Sequence, residues 1–139
     1  MNANSITDRQ RLHFALLFTG AFLLCIWGVH LIDYVFDLGL KAHGCRPREI
    51  RGLKGILTYP FLHSGIEHLW NNTASFFTLN ALLFYFYRSI AMRVWLIMFI
   101  VSGILLWIIG GTGNHIGASG IVYGLASFLF WSGVIRSNL

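Results

Sequence analysis

Two short stretches, "FLHSGIEHLWNN" at residues 61–72 and "NHIGASGIVYGL" at 114–125, carry side chains capable of chemistry inside otherwise oily sequence. His68 and Asn72 are four residues apart, so on a helix they share one side, one turn from each other. Both can donate hydrogen bonds. Ser119 and Tyr123 have the same spacing in the second stretch. A serine at the N-terminal end of a membrane helix, near such a pair, has the parts of an acyl-transfer site. The hydroxyl supplies the nucleophile, and backbone N–H groups at the helix start with side-chain donors supply an oxyanion hole. Hydrolysis also needs a base for the serine, and water at that depth. A plainer alternative exists for each stretch. Gly120 and Gly124 form a small-xxx-small pair suited to helix packing, and Asn71, Thr73, Ser75, Thr78 and Asn80 can act as interhelical glue.

The elements that must position these residues follow from the distribution of charge. Of 139 residues 56% are hydrophobic and 11% charged, with mean hydropathy +0.67, a profile that excludes an ordinary soluble domain. The charges form islands at Asp8–Arg11, Asp33–Lys54, Glu67, Arg88–Arg93 and Arg136. No Asp, Glu, Lys or Arg occurs in the 42 residues from Val94 to Ile135. One helix of that length would be about 63 Å long, roughly twice the hydrocarbon thickness of a bilayer, so it must turn back on itself. Gly110, Gly111, Gly113 and Gly117 mark the turn. The expectation is an all-α, polytopic helical membrane protein, a single domain over 1–139 with spans at about 12–34, 67–87, 94–110 and 117–135 and a long loop at 35–66. With no small-x-small cleavage site before Asp33, the first span reads as a retained helix. Trp95, Tyr85 and Tyr87 around an 88–93 loop, with Trp131, are expected as interfacial anchors.

Composition also narrows partners. The net charge of +5 lacks the aromatic-interleaved basic face that nucleic acid requires, so contact with anionic membrane lipid is expected instead. Arg9, Arg11, Arg88, Arg93 and Arg136 fall on one side of a four-span topology, and Lys41, Arg46, Arg48, Arg51 and Lys54 on the other. The tie leaves orientation undecided by charge. Cys25 and Cys45 are badly placed to pair. "HSGIEH" has one residue too many for an inverted zinc motif, and histidines five apart on a helix point about 140° from each other. No metal or cofactor is expected.

The two stretches together resemble the rhomboid intramembrane serine proteases. The family pattern of a histidine, a second histidine five later and an asparagine four after that is met by His63, His68 and Asn72; its GxSG serine corresponds to Ser119 and its tyrosine to Tyr123. The lead-in "LTYPFLH", Leu57 to His63, is also similar, and the resemblance runs from about residue 50 to the end. It implies that Ser119 attacks, that His68 and Asn72 with the serine backbone N–H stabilise the oxyanion, that Tyr123 supports the base, that Gly117 shapes the loop and that His63 holds the entry to the second span. It implies transmembrane protein substrates and a multi-pass protein of a bacterial inner (cell) membrane. It also places the 35–66 loop outside the cytoplasm, where Cys45 would be open to a membrane-impermeant maleimide.

Two departures stand against the pattern. Lys54 and Gly55 occupy the positions of the family's Trp-Arg pair. The family takes its base from a histidine in a sixth helix, and the spans above number four, so the chain reads as an N-terminal portion of a longer rhomboid, proteolytically inactive by itself. His115, four before Ser119, is a weak substitute because glycines interrupt any helix through it. The alternatives are a catalytically inactive rhomboid-like protein that binds membrane helices, or an unrelated transporter segment.

Overall fold

The computed structural model describes residues 7–137. Five α-helices follow one another: α1 (Asp8–Phe36), the single-turn α2 (Gly55–Thr58), α3 (Ile66–Phe86), α4 (Arg88–Ile109) and α5 (Ser119–Ser137). The described residues form no strand beyond one isolated bridge between Cys45 and His115. Helices α1, α4 and α5 are each long and apolar enough to cross a membrane. At 21 residues α3 also has spanning length, but its Glu67, His68 and asparagines keep it out of that set.

Thr7 starts α1 through a reciprocal capping box with Gln10, satisfying two backbone donors that the first turn would otherwise leave free. Asp37, in the left-handed region at φ 48°, ends it, and the buried Asp33 accepts the Leu40 N–H at 2.8 Å to turn the chain back. The buried face of α3 runs through Leu69, Asn72, Phe76, Asn80 and Leu83, a helical spacing that brings two amides inward. This face packs on Ala15, Thr19, Leu23 and Ile26 of α1. Asn80 donates to Thr19 at 3.0 Å and the Trp27 indole donates to Thr73 at 3.0 Å. Asn80 and Thr73 are therefore the interhelical glue their types suggested. Thr78 instead bonds back to Ala74 of its own helix, and Asn71 and Ser75 are exposed.

The structure corrects three expectations. Arg88–Arg93 is not a loop: α3 passes to α4 through Tyr87 alone, whose carbonyl accepts from Ile90 and Ala91. Trp95 is not an interfacial anchor, because extending α4 back to Arg88 carries it into the core, edge-on to Phe18 and Phe22. Cys45 is fully buried, so a maleimide would find no access, and burial pushes its thiol pKa up, which further lowers its reactivity.

The 35–66 segment is built into the bundle. Cys45 exchanges backbone hydrogen bonds with His115 at 2.9 and 2.8 Å, and the Asn114 amide donates to the Lys41 carbonyl. Arg48 caps the free carbonyl end of α4, donating to Ile108 at 3.2 Å and Gly110 at 2.9 Å, while the Trp107 indole donates to the Glu49 carbonyl. This clasp fixes both ends of the 110–118 loop, which delivers the chain to Ser119.

Candidate active site

Ser119 is the first residue of α5 and is half-buried. The opening N–H groups of a helix have no intrahelical acceptor and gather the positive end of its dipole, so the serine sits where negative charge is favoured. Its hydroxyl makes no hydrogen bond among the described residues.

Gly117 sets the approach. Its N–H donates to the Tyr59 carbonyl at 2.8 Å, and its φ of 107° lies where a side chain is strained. A methyl group there would stand 2.6 Å from His68 Nε2 and 3.7 Å from Asn72 Nδ2. The loop leading to the serine is thus laid directly on the His68 and Asn72 pair, two residues upstream of Ser119. His68 is held from behind by Ser64, whose hydroxyl lies 3.1 Å from Nδ1. With Ser64 donating, the imidazole proton resides on Nε2, the nitrogen turned toward Gly117, where it can serve as a donor. Asn72 is buried and gives one amide hydrogen to the His68 carbonyl at 2.9 Å, leaving its second uncommitted.

His63 lies in the turn ahead of α3, 1% exposed, with its ring centre 5.1 Å from that of His68. Burial, with the nearby His68 adding to it, lowers its pKa to about 4, so the ring is neutral at physiological pH. The His63 ring packs beside that of His68.

The other side of Ser119 is open. A cleft of about 510 Å³ runs between α4 and α5, with Ser119, Tyr123, Ser102, Leu105 and His115 on its walls. Tyr123 is 72% exposed and makes no hydrogen bond among the described residues. His115 lines the same cleft but is not hydrogen-bonded to the serine: its Nε2 lies 2.9 Å from the Gly111 carbonyl, and its backbone is paired with Cys45. The packing role of the glycine pair holds as well, since a methyl group at Gly120 would meet the Tyr59 hydroxyl at 3.0 Å and one at Gly124 would meet Met98 at 2.8 Å.

Sequence reasoning missed three positioning residues. Tyr59 receives the Gly117 N–H and bonds Ser102 through its hydroxyl at 2.7 Å; its signal was the lead-in "LTYPFLH", which carried no stated role. Ser64 orients His68, and its signal was the i, i+4 spacing to that residue. Arg48 had no local signal.

A helical bundle with membrane-length helices and a glycine-flanked serine at a helix head, its loop resting on a histidine and an asparagine, defines a narrow class of polytopic membrane proteins. The family model for the Rhomboid domain matches residues 51–139, and the chain belongs to the rhomboid family. Uncharacterized proteins of Mycobacterium tuberculosis and Mycobacterium bovis are each 33% identical over 121 residues, covering 81% of this chain and 50% of theirs. A third, from Mycobacterium leprae, is 31% identical over 119 residues, covering 81% of this chain and 47% of its own. The chain spans about half the length of the curated relatives it matches. No solved structure matches it.

Proposed function

We propose that this chain carries the nucleophile and oxyanion half of an intramembrane serine endopeptidase that cuts transmembrane segments of other membrane proteins. The observation that supports this most is the seating of the Gly117 loop on His68 and Asn72. That contact lays the chain two residues ahead of Ser119 against two side-chain donors, which supports reading them, with the serine N–H, as an oxyanion hole. In this reading Ser119 attacks the scissile carbonyl, and the charge developing on its oxygen is taken up by His68 Nε2, the free Asn72 hydrogen and the α5 N-terminus. The serine proton passes to a histidine brought by a helix beyond Leu139 that docks in the cleft beside Tyr123. A serine hydroxyl is a poor nucleophile without such a base.

The test uses two proteins in detergent, the 139-residue chain and a version continued through the downstream helices. The longer protein should cleave a fluorogenic transmembrane substrate and label with a fluorophosphonate at Ser119. Ser119→Ala should remove both signals, and the short chain should show neither. Ser119-dependent cleavage by the short chain would defeat the assignment of the base. A folded longer protein lacking both signals would favour the second reading, a rhomboid-like protein that binds membrane helices without cutting them.

A further inference from the structure

The opposite end of the bundle holds a feature that the serine site does not use. Arg9, Leu12, His13, Leu16 and Leu17 follow one another at helical spacing along one stripe of α1, with the basic residues at its outer end and the leucines below. Together with Arg88 at the start of α4 they line a groove of about 810 Å³. From Arg9 to Leu17 the stripe is about 12 Å long, the depth of a lipid headgroup plus the upper part of an acyl chain.

Arg88 points to the occupant. Its guanidinium lies 5.2 Å over the Phe14 ring, and its Nη1 is buried with no acceptor among the described residues. Nη1 itself is out of reach of a groove occupant, but the other guanidinium nitrogens of Arg88 are neither buried nor hydrogen-bonded among the described residues and can meet an anion. No carboxylate lines the groove: the nearby Asp8 faces Arg11 at 4.0 Å, and Thr7 and Gln10 are occupied with each other in the capping box. The wall is therefore cationic at its outer end and apolar beneath. We infer that this groove binds a single anionic phospholipid, its phosphate held between Arg9 and Arg88 and one acyl chain lying against Leu12, Leu16 and Leu17. Guanidinium suits the role because its planar set of donors matches phosphate oxygens.

The inference is independent of the serine chemistry and is tested by binding alone. The 139-residue chain would be reconstituted in phosphatidylcholine nanodiscs containing a minor fraction of phosphatidylglycerol, and retained lipid read by native mass spectrometry after mild release. Phosphatidylglycerol should be retained in preference to phosphatidylcholine, and Arg88→Gln or Arg9→Gln should lower that preference about tenfold, the loss expected for one charge-assisted hydrogen bond. Arg93→Gln, outside the groove, should leave it unchanged. Since Arg88→Gln also removes the stack on Phe14, Leu17→Trp provides a second variant that fills the groove while keeping every charge, and it should lower retention of phosphatidylglycerol as well. Equal retention of the two lipids, indifference to both Arg88→Gln and Leu17→Trp, or displacement of phosphatidylglycerol by inorganic phosphate would each overturn the inference.

Discussion

The two sides of the loop that carries Ser119 differ in how finished they are. Toward α3 the backbone of Gly117 rests on His68 and Asn72 with no room for a methyl group, and Tyr59, Ser64 and the Cys45–His115 bridge hold that arrangement in place. Toward the α4–α5 cleft, Tyr123 is exposed and no described histidine is hydrogen-bonded to the serine. The proposed function accounts for the difference if the packed side is the charge-stabilising half and proton transfer depends on a group supplied from elsewhere. Rigid donors act without reorganising when charge develops, which is where their contribution to rate arises.

The largest break in this contrast should come from Gly117→Ala in a longer protein that has the proposed activity. The new methyl would collide with the His68 ring and occupy a strained φ, so either the loop lifts off both donors or the imidazole rotates away from Ser64. Turnover should fall by at least the roughly 10²- to 10³-fold typical of losing one donor. Turnover within a few-fold of the parent would show that the serine loop does not need this seat.

Single donors come next. His68→Ala and Asn72→Ala should each reduce turnover about 10²- to 10³-fold while fluorophosphonate still reaches Ser119, since in the proposed function both act on the charge that forms and not on the nucleophile itself. Should either variant cut a transmembrane substrate at full rate, that residue would lose its place in the oxyanion hole.

Much of this finished side was legible in the sequence, and the reason is local. His68 with Asn72 is an i, i+4 pair on one helix and Gly117 stands two residues ahead of Ser119 at the head of another, so spacing shows which residues are neighbours, while the role of Gly117 came from the resemblance. The break in the long uncharged run was legible for the same reason, because glycines cannot be hidden inside a helix at no cost. What escaped depends on contacts between distant segments. Arg48 reaching the end of α4, Tyr59 receiving Gly117 and the burial of Trp95 leave no periodic trace. Charge misled at Arg88–Arg93, where arginines read as a loop are helical and one candidate interfacial aromatic, Trp95, belongs to the core. The open side was legible only through resemblance, since Ser119 and Tyr123 by spacing alone are equally consistent with helix packing.

Acid should separate structural support from chemistry. His63 has its pKa lowered to about 4 from an ordinary value near 6.5, so between those values the unfolded chain binds a proton that the folded chain does not. Stability should therefore be fully present above about pH 6.5 and decline as pH falls toward 4. Melting temperature in detergent should drop over that window, and His63→Phe, which keeps a buried ring without a titrating nitrogen, should flatten the slope. His68 and His30, the titratable neighbours, remain in both proteins. Identical slopes would mean that His63 is not the acid-sensitive element of the finished side.

The smallest effect expected is at Tyr59→Phe, and its smallness is informative. The phenol gives a 2.7 Å hydrogen bond with Ser102 on α4, and burial pushes its pKa up, so it is a neutral group tying the turn before α3 to the next helix. Removing one hydrogen bond of this kind costs about 1 kcal/mol in water and about 0.6 on average between membrane helices, partly because Ser102 can turn back to the Met98 carbonyl it already contacts. The contact that fixes Gly117 is the backbone carbonyl of Tyr59, which the substitution leaves untouched. Tyr59→Phe should lower the melting temperature by a few degrees at most and leave turnover per folded molecule unchanged. A loss of turnover approaching that of His68→Ala, at unchanged helical content, would show that the cleft side of the site is also held by the Tyr59 hydroxyl, and the division between a finished and an open side would have to be redrawn around the α4 contact.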